Sequence, residues 1–115
     1  MFYNSSIPEI SAEELANILS TSPTLQLIDV REPEEAEIAV IEGFELLPLS
    51  QFRQWAETIN IRFDSEVETI VICHHGVRSA QMCQWLSNQG FTKVKNVAGG
   101  IDAYSARIDP NIPRY

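Results

Sequence analysis

The run Thr69-Ile-Val-Ile72 leads directly into Cys73-His-His-Gly-Val-Arg78 and then into a helical pattern, and no other stretch limits the possible folds as strongly. Every residue of the run is β-branched and none is charged, which reads as a buried strand. The helical pattern spans about Val77 to Gln89 and stops at Gly90, in the position where helices end in a left-handed cap. A tight turn therefore lies at the end of a strand and the start of a helix. Backbone N–H groups of such a turn point inward, and the helix dipole adds partial positive charge. A thiol at Cys73 sits where an anion is welcome, and the thiolate is the nucleophilic form. Gly76 is free to take positive φ, and Arg78 offers fixed charge and a fork of donors. This turn is the candidate active site.

The rest of the chain alternates the same two patterns. Ser11-Ala-Glu-Glu14 is a capping box, followed by Leu15, Ile18 and Leu19 on one helical stripe that fades by Ser20. Residues 1–9 read as a lead-in and Thr21 to Thr24 as a loop. Leu25 to Val30 reads as a strand with an apolar end, and Pro33 opens a short acidic helix. Gly43 marks a turn, Phe44 to Leu47 a short strand ended by Pro48, and Ser50 the N-cap of a helix through Phe52, Trp55, Ala56 and Ile59. A polar connector is expected over 60–68, a strand over Phe91 to Val97, a turn at Ala98-Gly-Gly100, a helix from Ile101 to Ala106 and an irregular tail from Asp109 to Tyr115. Strands and helices alternate with connections too long for hairpins. The expectation is one α/β domain: a mostly parallel sheet with helices on both faces.

Composition narrows the function. The 115 residues suffice for one core, and 44% hydrophobic with 21% charged residues is ordinary for a globular protein. No apolar run approaches the roughly 18 residues of a membrane span. The start of the chain carries no signal-peptide pattern, so a cytoplasmic location is expected. A formal net charge of -8 argues against nucleic acid and anionic membrane surfaces as partners. Any small anionic substrate must be held by local donors.

Among the candidate side chains, Cys73 ends a buried strand, where open α/β sheets place their sites. Cys83 falls on the helix stripe with Ala80 and Leu86 and reads as a packed core thiol. The helical rise separates the two cysteines too far for a disulfide. His74 and His75 admit several roles: shaping the pocket mouth, favouring the thiolate when protonated, acid/base work, or no catalytic task. Cys-His-His in succession lacks zinc-site spacing, so no metal is expected. Asp29 and Arg31 end the preceding strand on the same sheet edge as Cys73, as an ion pair buttressing the loop or as part of the site. Trp55, Trp85 and Tyr104 read as core or rim packing.

Over nearly its whole length the chain resembles the single-domain rhodanese family of sulfurtransferases. The resemblance rests on Ile10-Ser-Ala-Glu-Glu-Leu15, Leu27-Ile-Asp-Val-Arg-Glu-Pro33, Cys73-His-His-Gly-Val-Arg-Ser79, Gln89-Gly-Phe91 and Asn96-Val-Ala-Gly-Gly-Ile-Asp-Ala-Tyr104. It implies a three-layer α/β fold with a central parallel sheet of about five strands. It also implies a mechanism without a separate cofactor. Cys73 takes the outer sulfur of thiosulfate or another sulfane donor as a persulfide and passes it to cyanide, a thiol or a sulfur-accepting protein. By the same resemblance the loop amides of residues 74–78, that is His74, His75, Gly76, Val77 and Arg78, hold the persulfide. Arg78 orients or neutralises the sulfonate end, and Asp29, Arg31 and Ser79 support the site. Two departures stand out: Ala39-Val-Ile-Glu-Gly-Phe44 replaces the family's usual Gly-His-Ile-x-Gly-Ala, and Tyr104 stands where a tryptophan is usual.

Two other readings compete. Cysteine-dependent phosphatases, some on a rhodanese-like fold, place one residue more between cysteine and arginine than this chain does. The shorter loop suits one sulfur atom better than a tetrahedral phosphate. The other reading is a non-catalytic binding module, a role that rhodanese-like domains also take, typically with the cysteine replaced.

Overall fold

A computed structural model describes residues 7–22 and 24–115. Of the expected lead-in, residues 1–6 lie outside the described residues, as does Pro23 in the expected loop. The chain forms β1 (Glu9–Ile10), α1 (Ala12–Thr21), β2 (Gln26–Asp29), α2 (Pro33–Ile38) and β3 (Glu45–Leu46). It continues with α3 (Phe52–Trp55), α4 (Ile59–Arg62), β4 (Thr69–Ile72), α5 (Val77–Asn88), β5 (Val94–Val97) and α6 (Gly100–Arg107).

The five strands form one sheet in the order β1-β5-β4-β2-β3, every neighbouring pair parallel. From β2 the chain moves outward to β3, whereas from β4 it moves the opposite way to β5. The crevice of such a sheet opens at the carboxyl ends of the two strands where the direction changes. Asp29 and Ile72 are paired at those ends, so residues 29–31 and Cys73 are brought to one rim.

Period-two alternation in β4 assigns its side chains to two cores. Val71 and Cys73 pack with Ile28, Val30, Trp55, Ile59, Met82, Cys83 and Leu86 on the face covered by α3, α4 and α5. Ile70 and Ile72 pack with Leu15, Ala39, Ile41, Val97 and Ile101 on the face covered by α1 and α6. All four β4 residues are buried, as the charge-free run requires. Each large aliphatic side chain so covered contributes about 1.5–3 kcal/mol of burial. The helices on both faces and the parallel sheet agree with the architecture expected from alternation.

Local signals position most elements. Ser11 Oγ accepts from Glu14 N–H at 3.0 Å while Glu14 Oε1 accepts from Ser11 N–H at 2.8 Å, closing the capping box of α1. Pro33 stands at the first turn of α2, and Gly90 takes φ 100° just after α5.

Two expectations need correction. Ser50 does not cap a continuous helix: its N–H and hydroxyl both donate to the Glu32 carboxylate. Residues 49–62 instead form α3 and α4 interleaved with 3₁₀ turns. The Trp55 indole donates to Pro48 O at 2.9 Å, and Trp55 meets Phe52 and Trp85 edge to face. Tertiary packing thus overrides a single-stripe helix. The connector expected over 60–68 begins inside α4 and buries Phe63. The tail after α6, though without regular structure, is anchored: Ser105 Oγ donates to Ile112 O, and Arg114 pairs with Asp102 at 3.0 Å.

Candidate active site

Cys73 follows β4 and is 1% exposed. Its Sγ accepts from Gly76 N–H at 3.1 Å and Ser79 N–H at 3.3 Å, with Ser79 Oγ a further contact at 3.2 Å. The first donors of α5 therefore converge on one sulfur atom, where hydrogen bonds and dipole both favour negative charge. Gly76 reaches this geometry with φ 107°, a region open to glycine. Among the described residues, the N–H groups of His74, His75, Val77 and Arg78 find no backbone or side-chain acceptor. They remain free to face an anion carried on Sγ.

Polar support runs beneath the loop. Ser79 is fully buried, and its hydroxyl also lies within hydrogen-bond reach of Asn96 Oδ1. One hydroxyl proton serves either Asn96 or Sγ at a given moment. Asn96 Nδ2 donates to Gly76 O at 3.0 Å and to Glu9 Oε2 at 3.1 Å, tying the loop to β5 and β1. From the other side, Ile101 N–H donates to Cys73 O at 2.9 Å and Asp102 N–H to His74 O at 3.1 Å. The start of α6 thus satisfies the loop carbonyls. Gly100, with φ 62°, lies so close that an added Cβ would sit 2.4 Å from both oxygens.

Asp29 and Arg31 form a buried ion pair. Arg31 is fully buried; its Nη2 donates to Asp29 Oδ2 at 2.7 Å and to Ala39 O at 2.7 Å. Burial opposes the Arg31 charge, but the hydrogen bonds it donates to Asp29 and Tyr115 outweigh it and raise its pKa. Through Ala39 this guanidinium holds the wall over residues 39–44, in which Ala39 and Ile41 are buried and Gly43 turns with φ 100°.

Arg78 is presented differently from the expectation. Its Nη1 and Nη2 donate to Glu35 Oε1 and Oε2 at 2.6 and 2.9 Å, a bidentate pair. The Arg78 hydrogen bonds hold Glu35 at a pKa of about 2, and Glu35 in turn raises that of Arg78. Glu35 also accepts from Glu32 N–H at 3.0 Å and from the Tyr115 hydroxyl at 2.9 Å. Tyr115 accepts from Arg31 Nη1 at 2.9 Å and stacks on His74, ring centroids 3.8 Å apart and 7° from parallel. The tail therefore lies across the rim of the loop.

His74 is half-buried, and burial together with the charge of His75 pushes its pKa down. It is neutral at pH 7, so it is no cationic partner for the thiolate. His75 is largely exposed, 4.0 Å from Asp102. The Val77 side chain turns to solvent, 69% exposed. His74, His75 and Asp102 could offer a metal three atoms within 4.8 Å. Asp102 already accepts from Arg114 at 3.0 and 3.1 Å, and a guanidinium at that place disfavours a cation.

Cys83 is fully buried in the core, as its position on the stripe implied, and burial pushes its thiol up to about 12. A surface cavity of about 580 Å³ opens at the other edge of the sheet, among Val67, Glu68, Lys93 and Val94, away from both cysteines. Sequence reasoning missed Glu35, Tyr115 and Asn96. An uncharged amide in the strand Val94–Val97, next to Lys95, was a signal for Asn96. Glu35 is one of several acids in α2, and nothing local distinguished it or Tyr115.

A family model described as a rhodanese-like domain matches residues 11–107. The chain is 46% identical over 112 residues to the Arabidopsis thaliana rhodanese-like/PpiC domain-containing protein 12, chloroplastic, covering 95% of this chain and 38% of that protein. It is 35% identical to the putative sulfurtransferase YtwF of Bacillus subtilis, covering 90% of this chain and 96% of that protein. A crystal structure of a rhodanese-like domain protein from Staphylococcus aureus superposes with a TM-score of 0.77 at 28% identity, covering 95% of this chain and 99% of that one.

Proposed function

Because the chain belongs to the rhodanese-like domain family, we propose that it is a sulfurtransferase whose sulfur is carried on Cys73. The observation that carries this reading is the convergence of Gly76 N–H, Ser79 N–H and Ser79 Oγ on one sulfur at the start of α5. The Cys73 thiolate attacks the outer sulfur of a sulfane donor, thiosulfate or a persulfide. The donor's bond to that sulfur breaks, and its remainder leaves with the electron pair. Cys73 now bears a persulfide, whose terminal sulfur faces the free N–H groups of residues 74, 75, 77 and 78. A second nucleophile, cyanide or a thiol on a small molecule or acceptor protein, attacks that sulfur and returns Cys73 as thiolate. Ser79 and Asn96 hold the loop in shape throughout, while Asp29 and Arg31 hold the wall over residues 39–44. No group outside the protein enters the cycle besides donor and acceptor.

Intact-mass measurement after exposure to a sulfane donor tests the reading. A gain of one sulfur atom, removed by cyanide or thiol and absent in Cys73→Ala, supports it. No adduct from any donor would leave the binding-module reading in its place.

A further inference from the structure

Among the described residues, every guanidinium around the Cys73 loop is already matched to a carboxylate. Arg78 is clamped by both oxygens of Glu35, Arg31 by Asp29, and Arg114 by both oxygens of Asp102. His74 is held neutral by burial and by its neighbour His75. What the loop offers an incoming donor is a cradle of backbone N–H groups about one sulfur atom, at the bottom of a site where Cys73 is 1% exposed.

Thiosulfate and an organic hydropersulfide make different demands on such a site. Both present a sulfur to Cys73. In thiosulfate the attacked sulfur is bonded directly to a sulfonate, so a bulky head carrying most of the dianion's charge must sit at the rim. There it meets Glu35, whose Oε2 also takes the Tyr115 hydroxyl, and finds no unmatched guanidinium. The formal charge of -8 adds repulsion at longer range. In a hydropersulfide the attacked sulfur is joined to a slim divalent sulfur and then to carbon. Its leaving group, a thiolate, needs no fork of donors.

Building on the sulfurtransferase reading, we infer that the donor which loads Cys73 is the hydropersulfide of an organic thiol, and that the Glu35–Arg78 clamp excludes thiosulfate. In the step, Cys73–S⁻ bonds to the outer sulfur of R–S–SH and the donor's S–S bond breaks. R–S⁻ departs with the electron pair, and the proton stays on the new Cys73–S–SH or passes to solvent. The oxidation state of the transferred sulfur is conserved, so no external oxidant or reductant is needed.

The test compares loading of Cys73 by thiosulfate and by freshly generated 2-mercaptoethanol hydropersulfide, followed by quenched mass spectrometry against a Cys73→Ala blank. The wild-type protein should take sulfur from the hydropersulfide at least about a hundredfold faster. In Glu35→Gln, where the charge on the clamp is gone and the Arg78 fork is released, the thiosulfate-to-hydropersulfide ratio should rise at least about tenfold, the scale of one charge-assisted contact. If Glu35→Gln does not fold, the wild-type ratio decides alone. Equal rates from the two donors, or an unchanged ratio in a folded Glu35→Gln, would overturn the inference and leave the sulfurtransferase reading standing. Sulfur from neither donor would overturn that reading itself.

Discussion

Replacing Gly100 by alanine should damage the active site without touching any reacting atom. An alanine Cβ at this position would lie 2.4 Å from Cys73 O, 2.4 Å from His74 O and 2.5 Å from His74 C. An ordinary carbon–oxygen contact is about 3.3 Å or more, so loop and helix must part by roughly 1 Å. The backbone cannot yield the way a flexible side chain would. Holding alanine at φ 62° adds about 1 kcal/mol, and forcing a methyl group into a filled space adds about 1–3 kcal/mol. Loosening the Ile101→Cys73 and Asp102→His74 hydrogen bonds adds on the order of 1 kcal/mol. The sum is about 3–5 kcal/mol, which lowers Tm by ~12–20 °C for a chain of this size. Because the displaced carbonyl belongs to the nucleophile itself, sulfur loading of Cys73 should fall by about a hundredfold. Gly90→Ala is the control: its φ is 100°, but nothing lies within 4 Å of the added Cβ. It should cost about 1 kcal/mol, a fall of ~4 °C, and leave the loading rate within about twofold. Circular-dichroism melts and native alkylation of Cys73 read both effects. A Gly100→Ala protein that melts with Gly90→Ala and alkylates at the wild-type rate would refute the steric account.

Other expectations follow from the same contacts. Ser79→Ala removes a hydroxyl from the sulfur and strands a buried Asn96 oxygen, so it should cost about 1–3 kcal/mol and slow Cys73 alkylation at pH 7 by about three- to tenfold. An unchanged alkylation rate would remove Ser79 from thiolate stabilisation. Cys83, buried and pushed up to about 12, should resist iodoacetamide at pH 8 until the protein is unfolded; native labelling of two thiols would contradict its packing. The Glu35 carboxyl sits near 2 in the folded protein against 4.5 unpaired, so its contribution is full above about pH 4.5 and is lost as pH falls toward 2. The shift would correspond to about 3 kcal/mol, which the partly exposed Arg78 reduces through solvent screening to about 1–2 kcal/mol. Urea melts at pH 6 and 3 should show acid sensitivity lower by roughly half of that in Glu35→Gln, since the loss is completed only below about pH 2, and equal sensitivity in both proteins would discount the pair.

What could be read without the fold was read where neighbours along the chain decide the outcome. The capping box at Ser11 and Glu14 closes within one helical turn. The charge-free β4 run admits burial on both faces and nothing else. Cys73, Gly76 and Ser79 lie close enough in sequence for the turn alone to gather them about the sulfur. Ser50 failed because its cap competes with Glu32, a residue 18 positions away, and the distant partner won.

The sequence by itself determined the layered parallel architecture and the turn that gathers N–H donors about the Cys73 thiol, because periodicity, capping and loop length act over a few residues. Only the tertiary structure decided what surrounds that turn. Glu35 reaches Arg78 across 43 positions, and Tyr115 reaches Arg31 across 84. Charge pairing of this kind depends on which side chains the sheet order and the course of the tail bring within about 3 Å, and no local pattern records that distance. The place of the Cys73 thiol at the strand–helix turn was therefore legible in the chain, whereas the state of the arginine beside it was settled by the fold.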